Sequence, residues 1–156
     1  MDYFRSFGVE VGQGKYHEEA VYGIAMVYTV LFNDISVYLN KYDLTPAKMN
    51  VLMIIKHQGK GRLRQAEIGK RLMVTASNMT RLLEKLERDG LTGHSALAGD
   101  KRVKIVKITA KGSKLLDQVW PGYEERLKAL AGRLSKRDQK TMAGLLQKWL
   151  ENLPHR

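Results

Sequence analysis

The middle of the chain restricts the possible folds most, because two short helical patterns are followed directly by a hairpin pattern. The stretch RQAEIGKRL predicts a helix over residues 65–72. A second helix follows, with Thr75 as its N-terminal cap and Asp89-Gly90 at its C-terminal end. Short runs rich in Val, Ile, Leu and Thr then surround a Gly-Asp loop, which predicts strands at 91–97 and 103–109. This order of elements indicates a winged helix-turn-helix.

Helical patterns with wide apolar faces precede this motif. Residues 1–16 contain three glycines and no clear period, and they predict a flexible N-terminal arm. Apolar residues then recur at helical spacing through 17–44. A helix this apolar must be covered, which in a small protein suggests a partner subunit. A further helix is predicted from the cap Thr45 and from Pro46 at the first position to about Gln58, before Gly59.

Two helices are also predicted after the hairpin. Thr109 caps a helix that begins near Ala110, and Pro121 is expected to kink it. Ser135 and Asp138 resemble a capping box that opens the last helix. The spacing predicts that this last helix buries Met142, Leu145, Leu146, Trp149 and Leu150.

The charge of the chain favours a polyanionic partner. Lys and Arg number 27 and Asp and Glu 16, which gives a formal net charge of +11. Thirteen of these cations and five of the carboxylates lie between Lys56 and Lys107, so this segment carries +8 and the rest +3. A nucleic acid or an anionic membrane surface would suit such a charge.

Several absences in the sequence favour a cytoplasmic protein. No strictly apolar run approaches the ~18 residues that suggest a membrane span. The first residues lack a signal-peptide pattern. The chain has no cysteine, which fits a reducing compartment and excludes disulfides and a thiol switch.

The second helix of the motif, which we call the recognition helix, is predicted to lie in the DNA major groove. Met79, Leu82, Leu83 and Leu86 share one face, which is expected to pack on the domain. Side chains that can hydrogen-bond to bases and phosphates lie elsewhere on the helix. The predicted DNA contacts are Thr75, Ser77, Asn78, Thr80, Arg81 and Lys85. The alternative is a solvated helix face.

The tip of the predicted hairpin, which we call the wing, carries Asp100-Lys101-Arg102. A narrow minor groove concentrates negative potential, so a cation beside the recognition helix is favoured there. Lys101 or Arg102 is therefore predicted to contact DNA. Asp100 is predicted to hold an arginine or the loop backbone by charge-assisted hydrogen bonds. The alternative is a solvated turn.

Three stretches taken in order resemble the MarR family of bacterial transcriptional regulators: LTPAKMNVLMII, RQAEIGKRLMVTASNMTRLLEKLERDGL and GLTGHSALAGDKRVKIVKITAKG. The resemblance covers about residues 17 to 153. It implies a homodimer that binds palindromic double-stranded DNA. In that arrangement a dimerisation helix (17–44) and C-terminal dimerisation helices (110–156) flank a winged helix-turn-helix DNA-binding domain (45–109).

The chain departs from the family pattern at two places. Many members have two Asp-x-Arg triplets at the wing, whereas Leu97-Ala98-Gly99 stands at the earlier position here. Arg64 stands where a small hydroxyl residue often caps the first helix of the motif. An arginine cannot cap in that way, but it could reach a DNA phosphate.

The resemblance also implies a small aromatic or phenolic effector, because the family often senses such ligands. A pocket is conceivable at Tyr28, Phe32, Met53, His57 and Trp120. The alternative is that these residues are ordinary core, as apolar residues at helical spacing usually are.

The sequence predicts no enzyme, metal or cofactor. No catalytic cluster or phosphate-binding glycine loop is visible, and His17-Glu18-Glu19 is better explained as an exposed helix start than as a metal site. The preferred function is a homodimeric, sequence-specific regulator of transcription, and more specifically a repressor that an aromatic ligand releases. The alternatives are a winged-helix module that binds RNA or protein, and an enzyme with a winged-helix extension.

Overall fold

The computed structural model describes residues 3–6, 8–97 and 100–154, with the backbone alone at 97 and 100–102. Polar side chains cap the starts of most of its helices. Thr45, Thr75 and Ser135 each accept a hydrogen bond from the amide three residues on, at 3.3, 3.4 and 3.2 Å. The hydroxyl of Thr109 accepts from the amide of Gly112 at 3.0 Å. All four predicted caps are confirmed.

The elements follow the predicted order, with one short helix added at the start and one strand added before the motif. The helices are α1 (Tyr3–Ser6), α2 (Tyr16–Asn40), α3 (Pro46–Met53), α4 (Gln65–Leu72), α5 (Ala76–Arg88), α6 (Ala110–Ala131) and α7 (Lys136–Asn152). The strands are β1 (Arg62–Arg64), β2 (Thr92–Leu97) and β3 (Asp100–Ile108). The recognition helix is α5, and β2 and β3 form the wing. The predicted mainly helical fold with a winged helix-turn-helix is confirmed.

The sheet joins the wing to the start of the helix-turn-helix. Its strand order is β1-β3-β2, and both pairs are antiparallel. Leu63 of β1 lies opposite Val106 of β3. The sequence did not predict β1, because three residues are too few to show a strand period. Strand β3 begins at Asp100, earlier than predicted, so the charged triplet belongs to the strand and not to the loop.

The end of the third helix also differs from prediction. After Met53 the chain continues into one π-helical turn at Ile54–Gln58, which ends at Gly59 as predicted. A Cβ on residue 59 would lie 2.4 Å from the carbonyl oxygen of Arg62. Glycine is therefore needed where the chain turns into β1.

The first compact unit ends at Trp120 and holds the apolar core. The hydroxyl of Tyr38 in α2 donates to the carbonyl of Val119 in α6 at 2.8 Å, which ties these helices together inside the unit. Side chains from α2 to α6 are fully buried around it, among them Leu39, Met49, Leu52, Ile68, Leu86 and Leu116.

The N-terminal arm is more ordered than the loose segment that we predicted. It contains the single turn α1, and Val9 is only 2% exposed. The amide of Gly12 donates to the carboxylate of Glu19 at 2.9 Å. A Cβ on Gly23 would lie 3.3 Å from the ring of Phe4. These local contacts were not predicted, because the arm has three glycines and its apolar residues show no clear period.

Helix α2 leaves its apolar residues exposed in the single chain, which agrees with the predicted need for a cover. Val27, Tyr28 and Val30 are 54%, 61% and 64% exposed. By length and composition this helix could also cross a membrane, with a mean hydropathy of 1.5 over a window in which nothing is buried. The core helix of a soluble protein passes the same test, and the sequence analysis did not count this helix because residues such as Thr29 and Asn33 interrupt the strictly apolar run.

The second compact unit begins at Pro121 and contains the end of α6 and all of α7. The prediction that α7 buries its apolar residues is wrong for the single chain. The five side chains named above are exposed to between 36% at Trp149 and 63% at Leu145. The apolar spacing is present, but nothing within this unit covers that face. Pro121 lies inside α6, and its predicted kink stays a prediction.

Candidate nucleic-acid interface

The recognition helix packs on the domain through the predicted face. Met79, Leu83 and Leu86 are buried, and Leu82 is half-buried. Helix α4 ends at Leu72, and the next residue, Met73, has a φ of 53° and turns the chain towards α5. The sequence pattern thus fixes which face of α5 points outwards, and the turn at Met73 sets where the helix begins.

The outer face of the recognition helix presents groups that hydrogen-bond to bases and phosphates. Ser77, Asn78, Arg81 and Lys85 are all exposed, as predicted. The side chains of Arg81 and Lys85 have no ion pair or hydrogen bond to any other residue that the structure describes. Among the described residues, no contact has to be broken before these two side chains bind a ligand.

Two of the predicted contact residues have structural roles at the start of α5. Thr75 caps the helix, and its hydroxyl oxygen lies 3.2 Å from that of Ser77. Thr80 is half-buried, accepts a hydrogen bond from Nε2 of Gln65 at 2.9 Å, and donates to the carbonyl of Ala76 at 3.0 Å. Since a phosphate needs a donor, Thr80 has no proton left for one. No pattern in the sequence predicts the contact with Gln65, which is fifteen residues away along the chain.

Arg64 is the residue that precedes α4, and its side chain makes no capping hydrogen bond, as predicted. Its Nε lies 4.0 Å from Oε1 of Glu67, and both side chains are about half exposed. An exposed pair at this distance stabilises by at most about 1 kcal/mol, so Arg64 can exchange Glu67 for a phosphate.

The start of strand β3 in the wing contains the charged triplet that was predicted to contact DNA. The backbone of Asp100, Lys101 and Arg102 lies in β3, and Asp100 pairs with Leu97 beyond a register shift. Their side chains lie outside the described residues, so their predicted roles stay predictions. Lys104 and Lys107 follow in the same strand and are exposed. The sequence analysis counted their charge but did not name them as site residues.

The recognition helix is attached to its surroundings at its C-terminal end. The ammonium of Lys48 in α3 lies 2.6 Å from Oδ2 of Asp89, and that of Lys111 in α6 donates to the Asp89 carbonyl at 2.7 Å. Cations at this end suit the helix dipole. On the wing side, Nδ1 of His94 lies 2.8 Å from Oε1 of Glu87. None of these contacts was predicted, because each joins residues that belong to different elements.

A cleft of about 590 Å³ lies where α4, the start of α5 and strand β3 meet. Arg64, Lys70 and Lys104 supply cations to it, and Val74 and Val103 supply apolar surface. The cleft therefore brings cations from α4 and β3 beside the start of the recognition helix.

Comparison with known proteins identifies the family to which the chain belongs. A model of the MarR family matches residues 44–104. YkoM of Bacillus subtilis, an HTH-type transcriptional regulator, is 31% identical over 108 residues, which are 69% of this chain and 69% of YkoM. The chain belongs to the MarR family.

Other proteins also match along most of the chain. The B. subtilis HTH-type transcriptional repressor YetL is 29% identical over 116 residues, 74% of this chain and 70% of YetL. A crystal structure of a mutant MarR from E. coli complexed with operator DNA has a TM-score of 0.76 at 25% identity. That comparison covers 96% of this chain and 99% of that one. As a MarR-family protein, the chain is a transcription regulator and not an enzyme.

Four of the five residues predicted to line an effector pocket form two ring pairs in this MarR-family chain. The rings of Tyr28 and Phe32 are 5.5 Å apart on the exposed face of α2. Those of His57 and Trp120 are 5.8 Å apart, between the π-helical turn and α6. Met53 is half-buried just before that turn. The two ring pairs present aromatic surface on which a ligand could stack. The effector pocket itself stays a prediction.

The alternative metal site at the start of α2 gains no support. Nε2 of the exposed His17 lies 3.9 Å from Oε1 of Glu18, as a neighbouring charged pair would. Within the described parts of the chain, no three His, Asp or Glu side chains are placed to share a metal ion.

Proposed function

We propose that this protein is a cytoplasmic homodimer that binds a palindromic operator in double-stranded DNA and represses transcription. The observation that carries the proposal is the outer face of α5, where Arg81 and Lys85 are exposed and have no hydrogen bond or ion pair to another residue that the structure describes. The ends of the same helix are held by a cap and by Lys48 and Lys111. Donors on a rigid helix are what direct base recognition requires.

Each exposed side chain of the helix has a chemical role in this proposal. The guanidinium of Arg81 binds a guanine through O6 and N7, and the amide of Asn78 binds an adenine through N6 and N7. Ser77 and Lys85 contact phosphates, which fix the register of the protein on the duplex. Arg64 adds a phosphate contact before α4. In the wing, Lys101 or Arg102 enters the minor groove, and Asp100 orients the arginine.

The exposed apolar surface supports the homodimer. On α2, Val27 and Val30 are more than half exposed, and an exposed apolar face of this kind marks an interaction surface. Helix α7 has a similar face. A second copy would cover both by two-fold symmetry, and a two-fold dimer binds half-sites that form a palindrome. Covering α2 in this way would also explain its membrane-like hydropathy without a membrane.

Repression is supported by the relatives. YetL is a transcriptional repressor, and the E. coli MarR structure contains operator DNA. A dimer bound to an operator that overlaps a promoter would exclude RNA polymerase. We further propose that a small aromatic ligand releases the DNA by binding near the ring pairs of Tyr28 with Phe32 and of His57 with Trp120, where it would stack on exposed aromatic surface.

Selection of sites from a random duplex library at two salt concentrations tests the proposal. We expect a palindrome that is still recovered at the higher salt. Arg81→Ala should cost about 1–3 kcal/mol and relax the base preference at one symmetric position. The matched control Lys114→Ala removes an exposed cation from α6 and should leave the preference unchanged. Recovery of unselected sequence that is lost at higher salt would overturn the proposal and favour the RNA- or protein-binding alternative.

A further inference from the structure

The π-helical turn at Ile54–Gln58, which we call the π turn, contains one residue more than an α-helix would need there. The amide of Gly59 donates to the carbonyl of Ile54 at 3.2 Å, so this bond joins residues that are five apart instead of four. Such turns are rare and are frequent at functional sites. Ile55, inside the turn, is fully buried, so the π turn belongs to the core and is not a frayed helix end.

Two consecutive side chains of the π turn contact α6 within the first compact unit. The ammonium of Lys56 pairs with Oδ1 of Asp117, and the ring of His57 lies 5.8 Å from that of Trp120. Asp117 and Trp120 are three residues apart, so both lie on one face of α6. The side chain of Lys56 is only 25% exposed, so water screens its ion pair less than it would screen a fully exposed pair. These two contacts stabilise the wider turn.

A second bonding pattern lies within reach of the same residues. The carbonyl of Ile55 now accepts a hydrogen bond from the amide of Gly61 at 3.0 Å. This oxygen also lies beside Gly59, where an added Cβ would be 2.8 Å from it. In a regular α-helix the amide of Gly59 would donate to Ile55, four residues earlier, and the chain after it would rotate by about 100°. Gly61 would then lose its acceptor.

The residues after the π turn lead directly into the helix-turn-helix. The carbonyl of Gly59 accepts from the amide of Arg62, the first residue of β1, at 3.0 Å. The carbonyl of Gly61 accepts from the amide of Ile108 in β3, also at 3.0 Å. Strand β1 ends at Arg64, which immediately precedes α4. A change in the bonding of Gly59 therefore moves the strand that connects α4 to the wing.

We propose that the π turn is a two-state joint through which contacts made by α6 set the affinity of the helix-turn-helix for its operator. While Lys56 and His57 contact α6, the turn keeps its extra residue and β1 keeps the position that binds DNA. When these contacts are lost, the turn relaxes to α-helical bonding and β1 moves. The inference rests on the proposed function and deepens it, because an aromatic ligand that replaces His57 on Trp120 would release DNA by this route.

The first experiment measures the affinity of the full-length protein for the selected palindrome by fluorescence titration. The variant His57→Ala/Asp117→Ala removes both contacts and changes no residue of α4, α5 or the wing. It should bind roughly tenfold more weakly than the wild type, as is usual for allosteric coupling. Loss of the Asp117 carboxylate makes the protein more positive, so charge alone would instead strengthen binding. The matched control Tyr38→Phe removes the hydrogen bond from α2 to the same segment of α6 and should leave the affinity unchanged.

The second experiment removes the extra residue. Gln58 is exposed, and its side chain has no hydrogen bond to another residue that the structure describes. Its deletion places Ile54 and Gly59 four residues apart, so the turn becomes α-helical while Gly59 keeps its register with β1. In this background His57→Ala/Asp117→Ala should cause no further loss of affinity, because the turn has only one state. The same tenfold loss with and without Gln58 would overturn the joint.

Hydrogen exchange followed by NMR measures the turn itself and needs neither DNA nor a deletion. In His57→Ala/Asp117→Ala the amide of Gly61 should exchange at least about tenfold faster than in the wild type, because it loses the carbonyl of Ile55. The amide of Leu91, which donates to Leu86 at 2.9 Å in the same unit, is the control and should not change.

The outcomes separate the joint from the function on which it rests. If the wild type binds no duplex, the proposed function fails, and exchange at Gly61 still tests the two states of the turn. If the wild type binds the palindrome and the double variant binds it equally well, only the joint fails. Weaker binding with unchanged exchange at Gly61 would give the contacts with α6 a merely structural role and would also overturn the joint.

Discussion

Nδ1 of His94 lies 2.8 Å from Oε1 and 3.0 Å from Oε2 of Glu87, so the wing strand β2 holds the recognition helix through one side-chain pair. An ionised carboxylate can only accept, so Nδ1 carries the proton. The side chains are 56% and 44% exposed, which limits the contribution of the pair to stability. We expect the pair to act mainly on the orientation of the wing.

We therefore expect His94→Ala to lower the free energy of unfolding by less than about 1 kcal/mol. The same change should weaken binding to the operator, because the wing loses its connection to the recognition helix. His94→Gln, whose amide can still donate to Glu87, should retain the affinity. Urea unfolding and fluorescence titration with a duplex measure the two effects. Equal affinities for the Ala and Gln variants would rule out this role for His94.

Thr80 should behave as a structural residue. Thr80→Val keeps the shape of the side chain but removes the hydroxyl between Gln65 and the Ala76 carbonyl. We expect it to lower the free energy of unfolding by about 1–2 kcal/mol, with Thr80→Ser close to the wild type. Gln65→Ala should cost less in the Thr80→Val background than alone. Additive losses in urea unfolding would show that the two residues are not coupled.

Met73 should carry backbone strain, because a residue with a side chain has a φ of 53° there. Left-handed geometry costs such a residue roughly 1–2 kcal/mol. Met73→Gly should remove that cost and, after the larger entropy of a glycine in the unfolded chain, raise the free energy of unfolding by up to about 1 kcal/mol. Met73→Ala has the same strain and is the control. A glycine variant no more stable than the alanine variant in thermal unfolding would contradict the prediction.

Gly112 should be irreplaceable. A Cβ at this position would lie 2.2 Å from the carbonyl oxygen of Leu91, which is backbone and cannot move aside. We expect Gly112→Ala to lower the free energy of unfolding by more than about 2 kcal/mol, because the added methyl group overpacks α6 against the backbone of Leu91, between α5 and β2. Gly93→Ala is the control, since its Cβ would meet nothing within 4 Å. Similar urea midpoints for the two variants would refute the prediction.

The proposed dimer should depend on the apolar face of α2. Val27→Glu and Val30→Glu each place a charge where a second copy would have to desolvate it. Sedimentation velocity should show a dimer for the wild type and a monomer for each variant, and affinity for the palindrome should fall with the loss of the dimer. Asn40→Glu, at the exposed end of the same helix, should remain dimeric. Variants that stay dimeric would place the interface elsewhere.

Local chemistry accounts for what was predictable in this fold. The boundaries of α4 and α5 were predicted to within a residue, because Thr75 caps its helix through an amide three residues away and Gly90 takes a φ of 71° after it. The buried face of α5 was equally predictable, since Met79 and Leu83 are four residues apart on a helix. The strand β1 was not predicted, because its three residues form a strand only by pairing with β3, and this pairing is not visible in the local sequence.

The sequence by itself determined the order of the elements, the helix caps, the outer face of the recognition helix and the concentration of positive charge around it. Each of these depends on neighbours within one or two helical turns, or on composition alone. The tertiary structure alone decided which polar groups are already engaged: Thr80 by Gln65, Glu87 by His94, and Asp89 by Lys48. It also brought Lys70 and Lys104 to one cleft. Contacts between residues far apart in the chain follow from packing, and no local pattern records them.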